Sequence, residues 1–234
     1  MLIHTKKYLS LIALTMTLSA CGGGGGSGSP SNPTLPATVI SIIPYGVVAS
    51  GSQQALSIKG TNFVSGMTVN VDGVNYPATV TSPTVITANV TITTVPTNNI
   101  ANVAVKSPSG ATLGTITLGV ASAAKTLAAD VYPILDAKCR SCHTGAANGN
   151  LDFATYAATA SASATGLIGI HSSGCPSRFR VAVGDPRRTS SVLIDKISAS
   201  GTPCSGILMP PVGSPQLTPA EIQTMIDWVA GGAN

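Results

Sequence analysis

Between positions 37 and 121 apolar and polar residues alternate in short runs, such as Ala55-Leu56-Ser57-Ile58-Lys59, Met67-Thr68-Val69-Asn70-Val71 and Val103-Ala104-Val105-Lys106. Clusters of Gly, Pro and Asn separate these runs every ~8 to 12 residues, which predicts short strands that bury one face each. Several such strands in succession predict an antiparallel β-sandwich. Phe63, after the turn-forming Gly60-Thr61-Asn62, is a large ring suited to plug the open end of the sandwich. Asp72 beside Gly73 is predicted to be a solvated hairpin-turn residue. No carboxylate, His or Cys cluster in this half points to chemistry, so it reads as a spacer or docking module.

Beyond position 123 the apolar period lengthens to about 3.6 residues. Leu127, Val131, Ile134 and Leu135 form one helical face leading to Lys138, with Pro133 predicted to kink that helix or to delay its start to near Val131. A second helix is predicted after Gly184-Asp185-Pro186, with Val192, Leu193, Ile194 and Ile197 on its apolar side. A third begins at Thr218-Pro219-Ala220-Glu221, where a capping Thr, a Pro at the first helical position and a reciprocating Glu precede Ile222, Met225, Ile226, Trp228 and Val229. Gly231 and Gly232 stop it.

The first of these helices runs into Cys139-Arg140-Ser141-Cys142-His143. Two thiols three residues apart followed by an imidazole are the attachment pattern of a c-type haem: the thiols add to the two porphyrin vinyl groups and His143 binds iron from the proximal side. A zinc ribbon would want a second close Cys pair, and a thioredoxin-like dithiol would want a βαβ context; neither is present. Met209, in Gly206-Ile207-Leu208-Met209-Pro210-Pro211, sits on a loop that two prolines stiffen, and it is the leading candidate for the sixth ligand. His171 and an open distal face are its rivals. Met67 and Met225 are assigned to cores. Arg178, Arg180, Arg187 and Arg188 read as a solvated or partner-facing basic patch, with the haem carboxylates as their alternative partners.

Lys6 and Lys7 precede an apolar stretch from Tyr8 to Leu18 that is too short to span a bilayer as a mature helix, which predicts an export signal over residues 1–20. Leu18-Ser19-Ala20-Cys21 resembles the lipobox of bacterial lipoproteins. That resemblance implies a lipidated Cys21 at the N-terminus of a membrane-anchored mature chain, periplasmic or at the cell surface and most simply on the outer membrane. Residues 21–36, rich in Gly, Ser and Pro, would be the tether. Removing Lys6 and Lys7 lowers the formal charge from +4 to +2, which with no basic-aromatic stripe gives no sign of nucleic acid as a partner.

Of the five cysteines, Cys21 then takes lipid, and Cys139 and Cys142 take haem. Cys175 and Cys204 remain as a disulfide pair for an oxidising compartment, closing a loop of about 30 residues and contributing roughly 3–4 kcal/mol on the chain-entropy estimate. The bridge would pin an insertion between Gly145 and Gly184 that a minimal cytochrome does not need.

Two family resemblances give these readings names. Ile43-Pro44, Gly51, the run from Leu56 to Phe63 and the Val71-Asp72-Gly73 turn closely resemble an IPT/TIG domain, an immunoglobulin-like fold, over residues 37–121. The Cys139–His143 motif, Gly184-Asp185-Pro186, Met209-Pro210-Pro211, the run from Leu217 to Ile222 and a Trp228 helix ending in Gly231-Gly232-Ala233 resemble a class I cytochrome c-like domain of the planctomycete type, over residues 122–234. The second resemblance implies that Met209 is the distal ligand. The expectation is a multi-domain chain, an all-β immunoglobulin-like sandwich followed by a mainly α cytochrome c fold with one covalent haem c. Its function would be single-electron transfer to and from redox partner proteins that the sequence does not identify, rather than catalysis. The alternatives are a haem-based sensor or accessory domain on a lipoprotein that binds polysaccharide or protein, and an electron-accepting subunit of a dehydrogenase.

Overall fold

The alternating segment folds as eight strands, β1 (Thr38–Ile43), β2 (Gly46–Val48), β3 (Gln53–Thr61), β4 (Thr68–Val71), β5 (Val74–Ser82), β6 (Val85–Thr91), β7 (Ile100–Lys106) and β8 (Thr112–Ala121). The structure, a computed structural model, describes residues 35–144, 151–153, 166–198, 203–204 and 206–233. The predicted signal, Cys21 and nearly all of the tether lie outside these residues, as does much of the predicted insertion.

The strands hydrogen-bond in the order β1-β3-β6-β5-β4-β7-β8-β2. All pairings are antiparallel except β2 with β8, which is parallel and departs from the purely antiparallel expectation. β5 passes from one layer to the other: Val74 to Pro77 pair with β4, and Ala78 to Ser82 pair with β6. Proline supplies no N–H to a ladder, so Pro77 suits this changeover. Leu56 and Ile58 on β3, Ile86 and Val90 on β6, and Val103 and Val105 on β7 are buried at every second position. They fill the space between the layers, with Phe63 buried beside them. The result is an immunoglobulin-like β-sandwich.

Asp72 (φ 46°) and Gly73 (φ 92°) make the left-handed pair that a two-residue hairpin needs between β4 and β5. Asp72 is the exposed turn residue expected, and it also has a partner. Its Oδ1 accepts the Asn102 N–H at 2.8 Å, so the turn is fastened to the neighbouring strand β7.

After β8 the chain makes a π-helical turn, Leu127–Val131, and continues as α1 (Tyr132–Lys138). This is how the helix accommodates Pro133. The wide turn, with the Val131 N–H donating to the Thr126 carbonyl at 3.2 Å, leaves Pro133 in the first turn of α1, where a missing N–H is not needed. A short hairpin, β9 (His171–Ser172) and β10 (Cys175–Phe179), precedes α2 (Val192–Ile197) and α3 (Pro219–Ala230). No helix among the described residues is long and apolar enough to cross a membrane.

Leu135, Phe153, Leu167, Ile194, Met225 and Trp228 are buried in a second core separate from that of the sandwich. α3 enters through the expected reciprocal cap. Thr218 Oγ1 accepts the Glu221 N–H at 3.2 Å, and Glu221 Oε2 accepts the Thr218 N–H at 2.7 Å. The Thr218 N–H holds the Glu221 carboxyl below its usual range, against a smaller opposing effect of burial. Thr218→Ala is expected to lower stability by about 1 kcal/mol. A urea-unfolding midpoint equal to that of the parent would contradict this.

Candidate functional site

α1 does not end cleanly at Lys138. The Cys139 and Arg140 N–H groups both donate to the Leu135 carbonyl, and the Cys142 and His143 N–H groups donate to the Cys139 carbonyl at 3.2 and 3.0 Å. The motif therefore keeps a helix-like winding. Side chains three and four residues apart share a face under that winding, so Cys139, Cys142 and His143 project toward one space. The His143 carbonyl then accepts the Phe153 N–H at 2.7 Å. The Phe153 ring meets the imidazole edge-on, with centroids 5.6 Å apart. Phe153 is buried and was not singled out in the sequence; one aromatic ten residues past the motif carries no periodic signal.

These side chains open on a cavity of about 500 Å³. Its apolar walls are Leu151, Phe153, Leu167, Val192, Leu193 and Ile197, and Met209 with Pro210 and Pro211 also lines it. Lys138, Arg180 and Lys196 supply cationic groups to the lining, and among the described lining residues there is no carboxylate. Burial, with Cys142 nearby, pushes the Cys139 thiol up to about 11. At neutral pH it stays protonated, unlike the low-pKa thiol of a redox-active dithiol. Burial also lowers the Lys196 ammonium, with Asp195 opposing.

The structure thus brings Cys139, Cys142, His143 and Met209 to one cavity. His171 does not line it. That side chain is exposed, its Nδ1 lies 2.6 Å from the Pro176 carbonyl, and its ring packs on Phe179 at 4.3 Å between centroids. Met67 and Met225 are buried in the two cores. Cys21 lies outside the described residues.

Cys175 and Cys204 are joined in a disulfide, with Cα atoms 6.3 Å apart. The bridge ties β10 to the segment ahead of Met209, and Cys204 itself lines the cavity.

The four arginines are not the solvated patch expected. Asp195 on α2, only 5% exposed, accepts from Arg178 Nη1 at 2.9 Å and from Arg188 Nε and Nη2 at 3.1 and 3.0 Å. It also accepts the Cys204 N–H at 2.8 Å. Burial would raise this carboxyl, but the Cys204 N–H and the two guanidinium groups outweigh it and hold it below the usual range. Arg187 pairs with Asp185, whose carboxyl is also held low against burial. Arg180 alone of the four reaches the cavity, and its Nη1 donates to the Gly166 carbonyl at 2.8 Å. The arginines read as a patch because Asp195, the acceptor that Arg178 and Arg188 share, stands 17 and 7 residues beyond them in the sequence.

No protein-family model matches the chain, and no curated protein does. Solved structures similar to part of it include an auxiliary nutrient binding protein from Bacteroides ovatus (16% identity, TM-score 0.27, 38% of this chain and 21% of that one). Another is a bacterial immunoglobulin-like domain of the M. primoryensis ice-binding adhesin (20% identity, TM-score 0.24, 36% of this chain and 95% of that one). A third is the plexin A4 extracellular region (13% identity, TM-score 0.29, 47% of this chain and 12% of that one). The chain spans about a fifth of the Bacteroides ovatus protein. At these TM-scores the strand order itself is the stronger statement of fold.

Proposed function

We propose that the chain is a monohaem c-type cytochrome that passes single electrons between partner proteins at a membrane surface, anchored through Cys21. In this reading its C-terminal part is a class I cytochrome c-like domain and its sandwich an IPT/TIG-type module that holds the redox site off the membrane. The observation that carries the proposal is the meeting of Cys139, Cys142, His143 and Met209 in one apolar-walled cavity.

The donor set fits the group. Two unbridged thiols suit thioether attachment, an imidazole and a thioether suit the two faces of iron, and the apolar walls suit a porphyrin body. Three cationic lining residues with no carboxylate among the described ones suit its two carboxylates. Bound there, the group would supply a one-electron iron couple. The apolar walls would limit water around it, and Phe153, edge-on to the imidazole, would limit the orientation of the His143 ring. Met209 would be the second protein ligand to the iron, which would favour electron transfer over gas or peroxide chemistry.

The test is export in a host that matures c-type cytochromes, followed by denaturing electrophoresis and a haemochrome spectrum. One covalent haem per chain is expected in the parent and none in the Cys139→Ala/Cys142→Ala double variant. A parent without covalent haem would refute the reading. Reduced protein is expected to ignore carbon monoxide; ready binding would favour the sensor alternative instead.

A further inference from the structure

The loop that carries Met209 is fastened on both sides. On the N-terminal side the Met209 N–H donates to the Lys196 carbonyl at 2.7 Å, and the Lys196 ammonium donates to the Ile207 carbonyl at 3.2 Å. On the C-terminal side one side-chain amide serves the loop. Gln216 Nε2 donates to the carbonyls of Pro210, Pro211 and Ser214 at 3.3, 3.0 and 3.0 Å. An amide has two N–H groups, so three acceptors must share them.

Pro210 and Pro211 bring carbonyls but no N–H groups. The turn that follows Met209 therefore has acceptors in excess, relieved within the main chain by the Ser214 N–H donating to the Pro211 carbonyl at 3.0 Å. The Gln216 amide supplies the other donors. The main-chain carbonyl of Gln216 accepts Lys138 Nζ at 3.0 Å, and Lys138 is the last residue of α1, next to Cys139. Gln216 thus links the attachment end of the cavity to the turn at its Met209 end.

We propose that Gln216 is the positioning residue for Met209, setting the loop geometry at which the thioether faces His143 across the cavity. This rests on the reading of Met209 as an iron ligand. Gln216 touches neither iron nor porphyrin in this role and acts through the Pro210–Ser214 turn.

The test uses the haem-loaded, full-length protein and two variants that remove the donors in different ways. Gln216→Glu keeps the shape but places a carboxylate against three carbonyls; Gln216→Met keeps the length without charge. Gln216 is exposed, so neither variant opens a core cavity, and unchanged far-ultraviolet circular dichroism is expected. Both should lose the weak far-red sulfur-to-iron absorption of the ferric protein, show a lower midpoint potential and begin to bind carbon monoxide when reduced. A far-red band and potential equal to the parent's in both variants would overturn the assignment. Met209→Leu separates the two ideas. Loss of the band there, with retention in both Gln216 variants, sinks the positioning role alone. Retention in Met209→Leu sinks the ligand reading and this proposal with it.

Discussion

Asp195→Ala is expected to destabilise the protein by about 3–4 kcal/mol, near the lower end for removing one partner of a buried ion pair. The carboxylate is the shared acceptor for Arg178, Arg188 and the Cys204 N–H. Its loss leaves two guanidinium groups without their counter-charge. Arg178 is the costly one, since its side chain is 17% exposed and its Nη2 is committed to the Arg188 carbonyl. Arg188, at 31%, can turn toward water. The carboxyl is held below the ordinary carboxylate range. Its contribution is therefore fully present above the unfolded-state value of about 3.9 and is lost as pH falls through the lower folded-state value. Asp195→Asn should flatten the acid limb of a plot of stability against pH, and Asp195→Ala should lower the denaturation midpoint at neutral pH. An Ala variant within about 1 kcal/mol of the parent would show that water already screens the cluster.

The two halves of the chain differ in how plainly their sequences speak. In the sandwich, period-2 burial is a local rule, and Leu56, Ile58, Val103 and Val105 fall on the core side as their alternation requires. The cap of α3 is local too: Thr218 and Glu221 are three residues apart and bond each other. The motif at Cys139 is readable because the proposed attachment chemistry would need its three side chains within five consecutive residues. What could not be read is whatever depends on distant segments meeting. Asp195 gives no sign of its arginines, nor Gln216 of the carbonyls it serves, nor Phe153 of its place against His143. Pro133 fell between the two cases. Its conflict with a helix was visible, but relief by a π-turn depended on how Leu127 and Val131 reach the second core. The Cys175–Cys204 bridge is legible by a third route, because the expected oxidising compartment and the roles expected of the other cysteines leave one pairing.

Gly119→Ala is the change expected to disturb the largest part of the fold, because the sandwich and the helical part meet there backbone to backbone. β2 and β8 pair at Gly46 and Gly119. A Cβ on either would overlap the Ala230 carbonyl oxygen at the end of α3, and on Gly119 it would also stand 2.5 Å from the Gly184 oxygen. Gly184, at φ 74°, in turn lies against the Tyr45 carbonyl and donates its N–H to the Val229 carbonyl at 2.9 Å. Beside them Asp227, buried on α3, accepts the Ser122 N–H at 2.8 Å and the Ser122 hydroxyl at 2.6 Å. The obstacles are main-chain atoms rather than flexible side-chain ends, so the clash is relieved only by moving α3 away from β8. Because Met225, Trp228 and Val229 on α3 belong to the second core, that movement reaches the wall of the cavity. A loss of about 2–3 kcal/mol, the upper part of the range for overpacking, is expected. The parent should unfold in a single transition, with tryptophan fluorescence from Trp228 and the far-ultraviolet signal of the sandwich changing together. In Gly119→Ala the fluorescence transition should move to lower denaturant and separate from the other. Coincident transitions at the parent's midpoint would mean that the junction yields to a methyl group without cost.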